Sequence, residues 1–387
     1  MFIDRRRFLV IAVTAVLTAV SIAGSAQEFK TRRNIGIPDI PGYTTLKCDF
    51  HMHTVFSDGL VWPTVRVAEA WLEGLDAIAI TDHLEYKPHK DITADHNRPY
   101  EIAKPAADQA GLILIRGTEI TKQVPPGHFN AIFITDANPI KNADYTIAIK
   151  TAVDQGGFVF YNHPDFRTAN GLCYWGPEHD LVYEKGWLNG IEVVNGNSYY
   201  VPSHRWATEK KLTMFANTDT HQPITFDYDF ANGEHRPMTF VFATERSADA
   251  IKHALVERRT AVWFKDTVAG EEQFLAPMFD AAVEMMTKQV SIRGTGSATV
   301  TVANNSELTF RLVPDDVPEQ TVVGSAVTLY PGRTARLTIR GTGTAAPGTA
   351  TVGIPYRVAT MLAEPQTPLA VKLPVNVTFV SAAASGN

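Results

Sequence analysis

The chain has 387 residues, 45% hydrophobic and 20% charged, with a formal net charge of −6 at neutral pH. That is enough apolar material for one or two ordinary cores. It carries no long block of like charge, which excludes a basic nucleic-acid arm and any global attraction to anionic lipid. Cys48 and Cys173 are the only cysteines and form no CxxC arrangement, so a thiolate metal site is excluded and at most one disulfide is allowed.

Residues 1–26 read as an address. Arg5-Arg6-Arg7-Phe8-Leu9 precedes an apolar run over 10–22 that is too short and too rich in small residues for an ordinary membrane span. Gly24-Ser25-Ala26 then offers a cleavage site. The arginine-rich start resembles a bacterial twin-arginine export signal, with a Sec signal or an uncleaved anchor as alternatives. A periplasmic or otherwise exported product beginning at Gln27 is expected, with no stable membrane span after removal of the signal. Its loss takes the formal charge from −6 to −8.

Residues 27–44 are a polar lead-in. Strand-like runs follow at 45–50, 75–80, 112–115, 129–134, 157–161, 190–195, 211–216 and 239–243. Helices are expected over 63–72, with Pro63 in the first turn and Gly74 near the end, and over 142–155, 203–210 and 248–257. Residues 84–99 have no apolar period and read as an insertion of the kind that walls active sites. From about residue 289 the pattern changes to period-2 alternation, as in Ala298-Thr299-Val300-Thr301-Val302, with Gly- and Pro-containing turns between runs. That is the pattern of a small antiparallel β-sandwich over 287–387, which contains no histidine. Packing against the preceding domain or a partner subunit is its expected role, with carbohydrate or cell-wall binding as the alternative.

Chemistry collects at the strand ends. In Asp49-Phe50-His51-Met52-His53 the two histidines are two apart, so on a strand both imidazoles share a face. Neutral imidazoles beside carboxylates suit a borderline divalent metal. One such pair is common by chance. Here Thr81-Asp82-His83, Gly117-Thr118-Glu119, His128, Asn162-His163-Pro164 and Asp219-Thr220-His221 add further donor types, most of them just after a strand-like run. Residues from many strand ends converging on one face is how a (β/α) barrel builds a site. The pattern points to a metal centre.

These motifs, with Ser57-Asp58-Gly59, resemble in kind and order those of the PHP (polymerase and histidinol phosphatase) superfamily, from about Thr45 to Phe264. The resemblance implies a distorted seven-stranded (β/α) barrel over 45–286, a di- or trinuclear metal cluster, and hydrolysis of phosphate esters. Carried over position by position, it implies His51, His53, Asp58, His83, Glu119, His128, His163, Asp219 and His221 as ligands. So many donors exceed what one ion needs, so two or three divalent ions (Zn, Mn or Fe) are expected. Glu119 is the expected bridge between ions about 3.5–4 Å apart, with a hydroxide between them as nucleophile.

Asp82 and Asp49 are expected as acceptors behind metal-bound imidazoles. Arg167 could grip a substrate phosphate through its fork or be a solvated loop residue; Lys122, His204 and Arg205 are weaker candidates. His89, His96, His179, His235 and His253 read as surface or loop residues, and Tyr161, Trp175, Tyr199 and Tyr200 as packing. The expected substrate is a small or medium phosphate ester, not a specific nucleic acid. An amidohydrolase-like hydrolase and an exported, non-catalytic binding protein are the alternatives.

Overall fold

The computed structural model describes residues 31–89, 91–92 and 94–381, so the expected export signal lies outside the described residues. No described helix is long and apolar enough to cross a membrane. The first part of the chain lays down β1 (Thr44–Asp49), β2 (Ala77–Ile80), β3 (Ile113–Ile120), β4 (Phe129–Ile132) and β5 (Phe158–Tyr161). It continues with β6 (Gly190–Asn195), the short return β7 (Ser198–Tyr199), β8 (Thr213–Asn217), β9 (Met238–Ala243), β10 (Thr260–Phe264) and β11 (Thr267–Gly270). Helices α1 (Pro63–Leu72), α2 (Arg98–Ala110), α3 (Tyr145–Asp154), α4 (Pro177–Glu184), α5 (Val201–Lys210) and α6 (Ala248–Val256) lie between strands.

Strands β2, β5 and β9 are buried at every position, the pattern of strands covered on both faces rather than one. The pairs β1·β2, β2·β3, β5·β6 and β6·β8 are parallel. Strand β4 interrupts them, running antiparallel to both β3 and β5, and β9 pairs antiparallel with β1. At the seam of β8 with β9 and β10, threonine hydroxyls supply hydrogen bonds in place of a ladder. Thr239 Oγ1 accepts from Ala216 N and donates to Ala216 O, both at 2.9 Å, and Thr260 Oγ1 donates to Met214 O at 3.0 Å. The result is the barrel-like α/β fold expected, distorted at β4 and at this seam.

Aromatic rings fill the interior. Phe160 and Phe215 stack with centroids 4.2 Å apart, and Phe50 meets Phe215 edge-on at 5.7 Å. Gly190 makes room for this stack: a Cβ there would lie 2.5 Å from Phe215 Cε2. Cys48 is fully buried among these residues, and both cysteines are free.

Helix α7 (Glu272–Ala282) leads into β12 (Val283–Met285), β13 (Gln289–Arg293), β14 (Ser297–Asn304), β15 (Phe310–Pro314) and β16 (Val322–Gly324). Strands β17 (Val327–Leu329), β18 (Thr334–Gly341), β19 (Gly348–Glu364) and β20 (Thr367–Val380) follow. One sheet runs β12-β14-β18-β16, and the other contains β13-β20-β19 with β15 and β17 beyond β19. The period-2 alternation is visible in β18, whose buried residues face the second sheet's side of one shared core. This is the all-β sandwich expected.

The two parts share more than a boundary. Strand β19 pairs in parallel with β11, Val268 opposite Met361 and Ala269 opposite Leu362, so one sheet passes from barrel to sandwich. A single apolar core runs the same way, through Phe274, Leu275, Met278 and Phe279 of α7 to Phe310 and Leu312 of β15. Phe279 meets Phe310 edge-on at 5.3 Å.

Candidate metal centre

The nine donors come together. His51 and His53 leave the end of β1 on one face, with Phe50 and Met52 buried in the opposite phase. The β1 and β8 ends are stitched by backbone bonds, Asp219 N to His51 O at 2.8 Å and His53 N to Thr220 O at 3.0 Å. This sets Asp219 Oδ1 at 3.1 Å from His51 Nε2 and 3.0 Å from His53 Nε2. Asp219 has φ +54, a conformation disfavoured for a side-chain-bearing residue and held here by those bonds. His83 extends beyond β2 and bridges in parallel to Glu119 at the end of β3. His128 precedes β4, His163 follows β5, and His221 follows Asp219.

Asp58 arrives from a tight loop. Gly59 allows that loop to close, since a Cβ there would sit 2.6 Å from Thr54 N and 2.7 Å from His53 C. Asp58 Oδ1 then lies 3.4 Å from His83 Nε2 and 3.3 Å from His221 Nε2.

Four overlapping groups have mutually close donor atoms: His53, Asp58, His83 and His221; His51, His53 and Asp219; His51, Glu119 and His163; His83, Glu119 and His128. Glu119 belongs to two of them, reaching His128 Nδ1 at 2.7 Å through Oε1 and His83 Nδ1 at 2.6 Å through Oε2. Asp58 Oδ1, Glu119 Oε2 and His128 Nδ1 are buried and crowded by these polar neighbours, but none of them forms an aligned hydrogen bond. Buried carboxylate and imidazole atoms crowded together without aligned hydrogen bonds are costly unless a cation completes them. The donor set therefore fits divalent ions, with imidazole and carboxylate but no thiolate.

The donors perturb one another strongly: against the lowering by burial, neighbouring carboxylates raise His51, His163 and His221, and His83 to about 10. Burial alone would raise Glu119 and Asp219, but surrounding imidazoles, His83 and His128 for the first and His51 and His53 for the second, hold both well below the usual carboxylate range. Burial and the neighbouring His83 and His221 push His53 down to about 3, so it stays a neutral donor.

Sequence reasoning missed the residues that hold the donors in place. Glu192, in mid-β6, is fully buried and lies 2.9 Å from His51 Nδ1, leaving His51 Nε2 to face the cluster. Glu192 also accepts from His163 N at 2.8 Å and from the amides of Asn195 and Asn217, both at 2.9 Å. The signal was a lone carboxylate inside an apolar strand. Arg66, 1% exposed, ties the cluster loops together through His53 O at 2.8 Å, Thr220 O at 3.1 Å and Gln222 O at 2.8 Å.

Asp82 and Asp49 have other duties than expected. The Asp82 carboxylate accepts from Thr54 N at 2.7 Å, and from Thr54 Oγ1 and Ser57 Oγ at 2.6 Å. It reaches His53 only through Ser57, whose Oγ is 3.3 Å from His53 Nδ1. Hydroxyls and a backbone N–H got there first. Asp49 accepts from Thr218 Oγ1 at 2.7 Å and pairs with Arg236 at 3.2 Å. His179 is no surface residue: it is fully buried in the first turn of α4, its ring 4.2 Å from that of Tyr161. Arg167 stands exposed in the wall of a cavity of about 560 Å³ over the cluster, its Cζ 5.0 Å from the Phe166 ring centroid. Lys122 lines the same cavity but is paired with Glu85 at 2.5 Å.

Arg236 also grips Glu73 through two bonds of 2.7 Å, so one guanidinium is shared by the buried Asp49 and the largely buried Glu73. Replacing Arg236 by Met strands both, and is expected to cost about 3–5 kcal/mol of stability. A urea midpoint close to wild type would contradict this account of the network.

Residues 283–374 match an Ig-like domain family. The chain is similar to a two-domain protein from Bacteroides vulgatus described as containing a predicted PHP-like metal-dependent phosphoesterase. Identity is 42% and the TM-score 0.84, with 89% of this chain and 99% of that one covered. It is 31% identical over 196 residues to a protein of Methanocaldococcus jannaschii described only as uncharacterized, covering 46% of this chain and 83% of that protein. A likeness to a putative metal-dependent phosphoesterase of Bifidobacterium adolescentis is slighter, at 20% identity and a TM-score of 0.36 over 45% of this chain and 87% of that one.

Proposed function

Because the chain belongs to the family of two-domain proteins with a PHP-like metal-dependent phosphoesterase and a C-terminal Ig-like domain, we propose that it hydrolyses phosphate esters with two or three divalent ions. The convergence of nine donors in four overlapping groups, with Glu119 shared between two of them, carries this reading. His53, Asp58, His83 and His221 would hold one ion. His51 and His163, with Glu119 and Asp219, and then His83 and His128 with Glu119, would hold the others. When bound, Zn, Mn or Fe ions lower the pKa of coordinated water towards neutrality, supplying a hydroxide nucleophile, and offset phosphoryl charge.

The chain's own groups do the rest. Glu192 fixes the His51 ring by its Nδ1, so Nε2 is always presented to the centre. Arg66 and the Asp82–Thr54–Ser57 cluster keep the donor loops from relaxing apart. Arg167, supported on Phe166 at the cavity wall, is placed to take a phosphoryl oxygen through its fork and to orient the ester.

Elemental analysis of protein prepared without chelator should show two or three divalent ions per chain. A panel of phosphate esters should turn over with Mn, Zn or Fe and stop on chelation. Turnover of amides but no esters would transfer the reading to an amidohydrolase-like reaction. Retained metal with no turnover of either class would leave a binding protein.

A further inference from the structure

The candidate centre opens onto more than one cavity. Beside the cavity of Arg167, a second of about 390 Å³ shares Asp219 and His221 as walls. That one shares Asn197 and Tyr228 with a third, of about 460 Å³, which is also walled by Glu307, Thr309 and Pro331 of the C-terminal part. A track of adjoining cavities thus connects the donor cluster with the Ig-like domain.

Its lining differs from that of an ordinary small-molecule site in lacking aliphatic side chains, its apolar surface coming from the rings of Phe226, Tyr228 and Trp263. Neither the second nor the third cavity has an Ala, Val, Leu, Ile or Met side chain in its wall. Amides and carboxylates, among them Asn197, Gln222, Asp227 and Asn232, offer paired donors and acceptors of the kind hydroxyl groups satisfy from both sides. Phe226, 73% exposed, presents a ring beside them, and the electron-rich face of such a ring suits the C–H face of a sugar.

Charge argues against a polyanion. Asp219, Asp227, Glu234, Asp266 and Glu307 outnumber Arg33 and Lys265 in the walls of the second and third cavities; Arg33 is paired with Glu307 at 3.2 Å, and Asp266 with Arg311 at 2.7 Å. A nucleic-acid strand needs the opposite balance. A peptide would find no aliphatic-lined pockets for alternate side chains.

We propose that this track binds a neutral, hydroxyl-rich chain, a glycan, as the organic arm of the ester, with its far end against the Ig-like domain. As a substrate arm it rests on the phosphoesterase reading; as a binding site it does not. In the hydrolysis, the oxygen of water joins phosphorus and the P–O bond to the glycan breaks. The bonding pair stays on the glycan oxygen, which ends with a proton from the water.

The test uses the metal-loaded full chain and a panel of neutral oligosaccharides of several linkages, free and phosphorylated at the reducing end. Calorimetry should find at least one series whose affinity rises about tenfold from monosaccharide to trisaccharide, equivalent to about 1.4 kcal/mol. Phe226→Ala and Asn232→Trp, both at exposed positions, should each weaken that binding about fivefold or more, the second by filling the track. They should also lower kcat/KM for the phosphorylated trisaccharide relative to p-nitrophenyl phosphate. Ester turnover with no gain from glycan length in any series overturns the track and leaves the phosphoesterase. Length-dependent glycan binding with no ester turnover overturns the phosphoesterase and leaves the track. Tighter binding of a single-stranded oligonucleotide, lost in the same variants, overturns the glycan assignment.

Discussion

Replacing Glu119 by Gln should lower phosphate-ester turnover by about 10³-fold or more, equivalent to about 4 kcal/mol of transition-state stabilisation, and should lower the metal content measured by elemental analysis. The substitution changes almost no volume. It puts an NH₂ group in place of one of the two carboxylate oxygens that now face five imidazoles: Oε1 lies 2.7 Å from His128 and 3.5 Å from His163, and Oε2 lies 2.6 Å from His83, 3.5 Å from His53 and 3.7 Å from His51. An amide nitrogen cannot bind a cation, and its protons would point at ring nitrogens that must stay free as ligands. The side chain is fully buried, so no water replaces the lost charge. The folded state should survive, because Asn162 Nδ2 donates to Glu119 Oε1 at 3.2 Å and can do the same to the amide oxygen. A Glu119→Gln protein with wild-type metal content and turnover would remove Glu119 from the centre, and with it the shared-ligand reading.

The donors were legible because each stands in a short polar motif, most of them just past an apolar strand, where strand periodicity alone puts side chains on one face. What lay behind them was harder to see. Glu192 sits in Gly190-Ile191-Glu192-Val193-Val194, and one carboxylate in an apolar run says nothing about which imidazole it will meet from 141 positions away. Asp82 precedes His83 and so suggested an imidazole partner; the hydroxyls of Thr54 and Ser57 claim it, and their approach depends on the loop that Gly59 permits. Helix α2 escaped notice because the face it buries is Pro99, Ala103 and Ala107, too small to write an apolar period, with Pro105 inside. Helix α7 does carry a readable period in Phe274, Leu275, Met278, Phe279 and Ala282. Which surface that face covers is a tertiary fact. The β11·β19 pairing, between residues more than ninety positions apart, is set by geometry that no local pattern encodes.

A chain ended at Met286 should yield no soluble barrel, although every candidate ligand precedes that point. The alternating strands invite the view of a separable module, and inter-domain contacts are often modest and polar. Here the contact is a continued core. Without the sandwich, Phe274, Leu275, Met278 and Phe279 of α7 lose much of the cluster they share with Phe310, Leu312 and Leu369. Strand β11 also loses its ladder to β19 and becomes an open edge. At about 1.5–3 kcal/mol for each large apolar side chain returned to water, four such residues forfeit on the order of 6–12 kcal/mol. That equals most or all of the roughly 5–15 kcal/mol that a domain has in hand. The expected outcome on expression is therefore insoluble or degraded protein, with the exposed α7 face and the β11 edge as the sites of association. Replacing Phe279 and Leu275 by polar residues in the truncated chain should recover part of the solubility. A soluble, cooperatively unfolding product of the plain truncation, with wild-type metal content, would show that the barrel closes its own core and that the sandwich is carried as an independent unit.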